Sequence, residues 1–373
     1  MYLTKDKEYY HIHGSLEPSK IFKMLDLKAA REDLTDYDKC IEVWENAVQQ
    51  FESEELESMN QMYEQAGVQV LTRDEFLGTQ HGKVMNTLPP FTVRASEHDT
   101  PFGKASAGPE SKHDTATPPI PIGEASSKSG PCQVLQGIRV LELCRIIAGP
   151  TIGRSLAALG ADVLKVTSDK LPDVPFFQVD GNTGKYCISL DFNVDKDRTK
   201  FEELLQEADV IIDGYRPGSL ERRGYGPTGL AKRAIERRRG YVYVAEDCFG
   251  GTKNEGYDES TPWAGRRGWQ QIADCVTGVA REQGRFMNAA RDEPVIPPFP
   301  MSDYGTGALG SLAALVGLYN RAKHGGSWIC RTSLVQYNLF LLSLGNHTEE
   351  VQKVLREQHT AFLTLRHLSL IHI

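Results

Sequence analysis

The sequence predicts an α/β fold: a doubly wound, mostly parallel sheet with a smaller α/β segment ahead of it at the N-terminus. Three observations carry this. Between residues 137 and 247 apolar runs of strand length recur, namely GIRVLEL, ADVLKV, CISLDF, DVIIDGY and YVYVAED. Helical stretches stand among them, and apolar strands alternating with helices imply parallel pairing with helices on both faces. Residues 1–90 hold their own strands and amphipathic helices, set apart by a stretch of different composition.

In the N-terminal segment EYYHIHGS reads as a strand. DYDKCIEVWENAVQQF and ESEELESMNQMYEQAG have helical apolar spacing, the second ending at Gly67, and VQVLT (68–72) is a short strand. From 92 to 134 the chain turns to Pro, Ser, Thr, Gly, His and isolated charges. Such a stretch buries too little apolar surface to offset the entropy of ordering, so a disordered linker is expected. Order resumes at Gln136. The first strand, GIRVLEL, leads through GPTIGRSLAALGA, a turn and helix, to ADVLKV. CISLDF and DVIIDGY follow with the helix DKDRTKFEELLQEA between them, and YVYVAED is the fifth strand. A helix near 269–283, a long one from about 304 to 323, the strand SWICRTS and the helix LVQYNLFLLSLG complete the pattern. The expected organisation is therefore a small segment at 1–91, the linker at 92–134, a Rossmann-like large domain at 135–345, and a helical or irregular tail at 346–373.

Composition excludes several functions. Fifty Asp and Glu against 42 Lys and Arg leave a net charge of -8, with no basic stripe for nucleic acid; Arg237–Arg239 reads as a solvated helix end. No apolar run reaches the roughly 18 residues a spanning helix needs. MYLTKDKEYY carries charge where a signal peptide is apolar. Seven cysteines, odd in number and without C-x-x-C spacing, point away from disulfides and zinc and toward a reducing, cytoplasmic setting. His11 and His13 share one strand face, but no third ligand accompanies them and no metal is expected.

MSDYGTGALG (301–310) raises a sharper question. Gly305, Gly307 and Gly310 spell G-x-G-x-x-G, the spacing of dinucleotide-binding loops. That fingerprint needs a strand before it and an acidic residue about 20 positions on. Here PPFPMS precedes it and no Asp or Glu occurs between Asp303 and Glu349. The glycines read instead as close helix packing. Asp303, just ahead, is either an N-cap, a favoured role for Asp, or a reactive carboxylate at a helix N-terminus.

Several pieces resemble the family III CoA-transferases, the group that includes formyl-CoA and carnitine CoA-transferases and 2-methylacyl-CoA racemases. RVLELCRIIAGP is similar to the family's opening strand and loop, and LAALGADVLKV to its second strand. ISLDF with Lys185 resembles the third, ADVIIDGYRPGSLERRGYG the fourth strand with its R-P-G turn, and YVYVAEDCFG the fifth. FPMSDYGTGALGSLAALVGLYNRAKHGGSWICRTSL resembles the Asp-bearing helix and following strand. TKDKEYYHIHGS and EELESMNQMYEQAGVQVLTRDEFLGTQHGK resemble small-domain segments that come later in the family order. The resemblance thus implies a partial tandem copy: the end of one copy, a linker, and the start of another.

The resemblance implies that Asp303 attacks an acyl-CoA thioester, captures CoA as an aspartyl thioester through a mixed anhydride, and passes it to a carboxylate acceptor. Gly305 and Gly307, at the N-terminus of that helix, would give substrate close access to the backbone. Arg216 with Tyr215 matches the turn that contacts CoA, Arg267 a basic CoA-binding position, Arg145 lies in the first loop, and Arg223 is a further candidate. Guanidinium groups can hold phosphate in a bidentate way, though each is also a common surface charge. Racemases carry a histidine where this sequence has Trp269, and tryptophan cannot exchange a proton, so transfer is favoured over racemisation. One departure from the family is T-S-D-K after the second strand, where relatives have E-R-P or E-P-P near the adenine; Lys170 is the nearby cation. Nothing after 345 resembles the family's glycine-rich active-site loop. The implied partners are acyl-CoA, a carboxylate acceptor and a second copy in an interlocked homodimer, with coenzyme A thioester as substrate and no tightly bound cofactor, nucleic acid or membrane. A non-catalytic or regulatory homologue, or a fragment of a larger protein, is the other reading.

Overall fold

The computed structural model describes residues 1–16, 18–28, 31, 34–97, 117–121, 133–251, 259–289 and 292–359. They form two compact units interleaved along the chain, one drawn from Met1–Thr87, Glu259–Ser302 and Asn338–Ile373, the other from Leu88–Asp258 and Asp303–Tyr337.

The first unit begins with β1 (Tyr2–Leu3), β2 (Tyr9–His13), α1 (Ser19–Met24), α2 (Tyr37–Val48), α3 (Ser53–Met62) and β3 (Ala66–Gln69). The three strands form an antiparallel sheet in that order. Tyr10, Ile21, Met24, Val48 and Leu56 make an apolar cluster against it. The expectation that the second helix runs to Gly67 is corrected: α3 stops at Met62, Glu64 turns the chain at φ 53, and Gly67 lies inside β3. A Cβ on Gly67 would lie 2.6 Å from the Asn60 amide, so only glycine lets the strand pass there. α4 (Arg73–Gly78) starts on a Thr72–Glu75 capping box and leads into α5 (Gln80–Met85).

The second unit opens with β4 (Phe91–Ala95) and continues through β5 (Arg139–Leu143), α6 (Ala148–Ala158), β6 (Asp162–Thr167), α7 (Pro175–Gly181) and β7 (Tyr186–Ser189). Then come α8 (Asp195–Glu207), β8 (Val210–Asp213), α9 (Pro227–Arg237) and β9 (Val242–Asp247). The chain next supplies α10 (Gln270–Thr277) and α11 (Val279–Phe286) to the first unit. α12 (Met301–His324), β10 (Trp328–Ser333), α13 (Leu334–Ser343) and α14 (Glu349–Gln358) follow. The expected helix at 269–283 is thus two, broken at Gly278 (φ 98), where a Cβ would meet the Arg73 backbone nitrogen at 2.5 Å.

The large sheet has the order β4-β10-β9-β8-β5-β6-β7, parallel except for β4, which runs antiparallel to β10. The doubly wound fold expected from the sequence is present. From β5 the chain winds outward to β7, then returns beside β5 and winds the other way to β10. Alternate residues feed opposite faces, as strand geometry requires. Val140, Val163, Val210, Ile212 and Val244 pack on Ile152 and Leu156 of α6 and on Ala313, Ala314 and Leu318 of α12. Leu141, Leu143, Val166, Ile211 and Tyr243 pack on Phe201 and Leu205 of α8 and Leu230 and Ala234 of α9.

Two local expectations are revised. Residues 92–95, at the head of the stretch expected as linker, are held in β4 by pairing with β10; positions 98–116 and 122–132 lie outside the described residues, as does the tail beyond 359. Arg237 is no solvated helix end. Its guanidinium lies 3.4 Å from the Tyr241 ring centroid and donates to the carbonyls of Leu205, Gln206 and Ala208, satisfying acceptors that the end of α8 leaves open. No helix among the described residues is long and apolar enough to cross a membrane.

Candidate active site

In a doubly wound sheet the crevice beyond the C-terminal strand ends, where winding reverses, is where a ligand can enter. Here it lies between β5 and β8. Cys144, Arg145 and Ile146 leave β5, and Gly214, Tyr215 and Arg216 leave β8. Ile146 adopts φ 68, a strained conformation for a β-branched residue. A Cβ on Gly149, in the first turn of α6, would lie 2.5 Å from Cys144 Sγ. One on Gly214 would lie 3.0 Å from that sulfur and 3.3 Å from Glu246 Oε2.

Asp303 is the third residue of α12 and half-buried. The helix begins at Met301, whose N–H donates to the Phe299 carbonyl at 2.7 Å, so Asp303 is not the N-cap. The clearance expected for substrate at Gly305 and Gly307 is filled by the protein itself. A Cβ on Gly305 would meet the Tyr337 ring at 2.0 Å. One on Gly307 would meet Thr151 Cβ at 2.4 Å and the Ala148 carbonyl oxygen at 2.8 Å. Gly310 faces Ile152 Cδ1 at 2.5 Å in the same sense. Within the first unit, Ser302 is buried and its hydroxyl bonds Asp274 at 2.5 Å, with Asn338 donating to the same carboxylate at 2.9 Å. Burial pushes the Asp274 carboxyl up to about 6.

Arg145, Tyr215 and Arg216 are brought together at the strand ends. Arg145 donates to the Pro172 carbonyl at 2.9 Å. Burial pushes the Tyr215 hydroxyl up to about 12, with the Arg145 guanidinium pulling the other way. Arg216 is exposed. Arg223 ends a single 3-10 turn, exposed, 5.9 Å from the Phe192 ring centroid. Arg267 belongs to the first unit, where it donates to Glu64 at 2.6 Å. Trp269 is there too, stacked on His13 at 5.6 Å and donating to Ser15 Oγ at 3.3 Å. Lys170 pairs with Asp191 at 2.8 Å. His11 is buried without a hydrogen bond to either ring nitrogen, and burial holds its imidazole neutral.

The sequence reading missed a set of ionisable groups inside the second unit. Glu142 of β5 meets Lys185 Nζ at 2.6 Å, and that ammonium also donates to the Pro150 carbonyl at 2.7 Å. Burial pushes Glu142 up to about 7 against the pull of Lys185. Asp213, ending β8, accepts from the Tyr243 hydroxyl and the Tyr215 N–H, and burial pushes it up to about 7. Asp247 pairs with Arg331 at 3.2 Å. Glu246 beside it is 9% exposed; burial, then the charges of Asp247, Asp303 and Asp213, hold its carboxyl well above the usual carboxylate range. The available signal was charge inside apolar strand patterns: the glutamate of RVLEL, the final acids of VIID and VYVAED, and the arginine of WICRTS.

The description "CoA-transferase family III" fits residues 135–360. An acetyl-coenzyme A transferase of Hypoxylon pulicicidum is 33% identical over 363 residues, 97% of this chain and 57% of the relative. An acyl-CoA transferase of Gibberella moniliformis is 33% identical over 345 residues, 92% of this chain and 56% of the relative. A formyl-CoA:oxalate CoA-transferase of Escherichia coli is 28% identical over 205 residues, 51% of this chain and 45% of the relative. The chain therefore spans less than three-fifths of the length of these relatives. The family match over more than half of the residues, with relatives one-third identical across nearly all of the chain, is decisive: the chain belongs to CoA-transferase family III.

Proposed function

We propose that the chain acts in moving CoA between an acyl-CoA thioester and a carboxylate acceptor, with Asp303 as nucleophile. The observation that carries this is the place of Asp303. It stands in the first turn of α12 and acts electrostatically on Glu246, which itself lies at the crevice between β5 and β8. A carboxylate is a weak nucleophile, and half-burial strips part of its water. The positive end of the helix dipole favours charge developing on the thioester oxygen. Arg145 and Arg216 supply cations for CoA phosphates at the same strand ends, with Tyr215 as a flat wall. Asp303 attacks the thioester carbonyl to give a mixed anhydride, the CoA sulfur returns to the Asp303 carbonyl, and an acceptor carboxylate then repeats the cycle in reverse. An interlocked homodimer belongs to the same proposal.

Incubation with acetyl-CoA, followed by intact mass spectrometry, tests the reading. A CoA thioester adduct is expected, and Asp303→Ala should abolish it. An adduct that survives the substitution would sink the nucleophile role, and none at all across acyl chain lengths would favour a non-catalytic homologue. Racemisation is disfavoured by Trp269, whose indole offers no exchangeable acid or base. No deuterium should enter the α-position of a 2-methylacyl-CoA in deuterated water.

A further inference from the structure

Glu246 is a carboxyl that the architecture does not explain. It is nine-tenths buried in β9, and no described residue donates a hydrogen bond to it. A buried carboxyl without a partner is stable only when it keeps its proton or meets a ligand. Its position favours a ligand: Oε2 lies 3.3 Å from the Cβ site of Gly214 and 3.7 Å from that of Gly149. Those two glycines flank the switch-point crevice, so the Glu246 carboxyl faces it from β9, on the side of α6 and α12.

The ionisable groups around it all favour the neutral acid. Asp213 from β8, Asp247 from β9 and Asp303 from α12 oppose its ionisation, and the Cys144 thiol after β5 adds no cation. Arg331 from β10 is paired with Asp247. The first turn of α6 presents Gly149, which has no side chain to offer.

We propose that Glu246 is the acid that delivers a proton to the CoA sulfur when Asp303 cleaves the thioester, and that it recovers the proton when the sulfur returns. This rests on Asp303 being the nucleophile. In the first step an Asp303 oxygen bonds the acyl carbon and the carbon–sulfur bond breaks. Sulfur leaves with the electron pair and takes the Glu246 proton, giving CoA thiol, Glu246 carboxylate and the mixed anhydride. In the second, the thiol returns its proton to Glu246 as sulfur bonds the Asp303 carbonyl carbon and the acyl group departs as a carboxylate. A leaving sulfur takes its proton more readily from a carboxyl that burial keeps protonated than from an ionised one.

The test follows the Asp303–CoA adduct by intact mass after mixing with acetyl-CoA, from pH 5.5 to 9, in parent chain, Glu246→Gln and Glu246→Asp. The parent should slow as pH rises through the titration of Glu246. Glu246→Gln, which keeps the shape but has no proton to give, should form adduct at least tenfold more slowly and lose that limb. Glu246→Asp should recover part of the rate and show the limb displaced. A parent adduct with an unchanged Glu246→Gln rate and profile overturns the proposal alone. A parent chain with no Asp303-dependent adduct overturns the nucleophile reading and the proposal with it.

Discussion

Gly307→Ala is expected to disturb both stability and chemistry, although alanine is the better helix former. In an unobstructed helix interior the change would stabilise by about 1 kcal/mol. Here the new methyl would lie 2.4 Å from Thr151 Cβ and 2.8 Å from the Ala148 carbonyl oxygen. Both are tied to the α6 backbone, so no side-chain rotation relieves the clash. Restoring ordinary contact near ~3.5 Å requires α12 and α6 to part by about 1 Å. Overpacking of this kind costs about 1–3 kcal/mol; with rigid partners the upper end applies, and roughly 1–2 kcal/mol of net loss remains after the propensity gain. For a unit of this size that lowers Tm by about 3–6 °C. The same shift moves the turn carrying Asp303, and a displacement near 1 Å can lower a covalent step by ~100-fold. Thermal unfolding followed by circular dichroism, and the rate of CoA adduct formation, measure the two effects. A Tm equal to or above the parent, with an unchanged adduct rate, would refute the reasoning.

Three further outcomes follow from the same structure. Lys185→Met leaves Glu142 buried without its partner and should destabilise by about 3–5 kcal/mol in urea unfolding; adding Glu142→Leu should recover most of the loss. Asp213 has its folded carboxyl raised from 3.8 to about 7, so the folded chain holds a proton the unfolded chain releases. Its stabilising contribution is full below about pH 4 and is lost as pH rises toward about 7. Asp213→Asn should flatten stability across that window and be the more stable form above it; equal slopes in the two proteins would count against this. Arg216→Ala should weaken CoA binding about tenfold, as loss of a charged hydrogen bond does, with Tm unchanged because the side chain is exposed; unaltered CoA affinity in calorimetry would remove Arg216 from the site.

Strands β5, β6, β8 and β9 were legible because their apolar runs are buried on both faces and announce themselves without context. β4 was not, since FTVRA stands at the head of a Pro- and Ser-rich stretch and its partner β10 is distant in sequence. α9 was hidden by Pro227 and Gly229 and by arginines that look solvated, yet Arg237 serves carbonyls of α8. In the site, Asp303 could be singled out from its neighbourhood, while the choice between cap and helix interior needed the position of Met301. Glu246 and Asp213 were invisible for a different reason. A carboxylate at a strand's end reads as the start of a solvated loop, and only the strand order shows that these ends converge under cover.

The edge pairing of β4 with β10 bears on how the chain is made. Ala95 pairs with Trp328, and Phe91 with Thr332, so the first strand of this sheet to be synthesised waits for the last. At about 5–20 residues per second that interval lasts on the order of ten seconds or more, with β4 lacking throughout the strand that, among the described residues, pairs with it. The parallel strands β5 to β9 can assemble meanwhile, and β10 then has to enter between β9 and an edge strand left from the beginning. Completing the sheet is therefore a long-range closure, made across more than two hundred residues of intervening chain. A ribosome stalled before Trp328 would hold a nascent chain with two strand edges open to other chains.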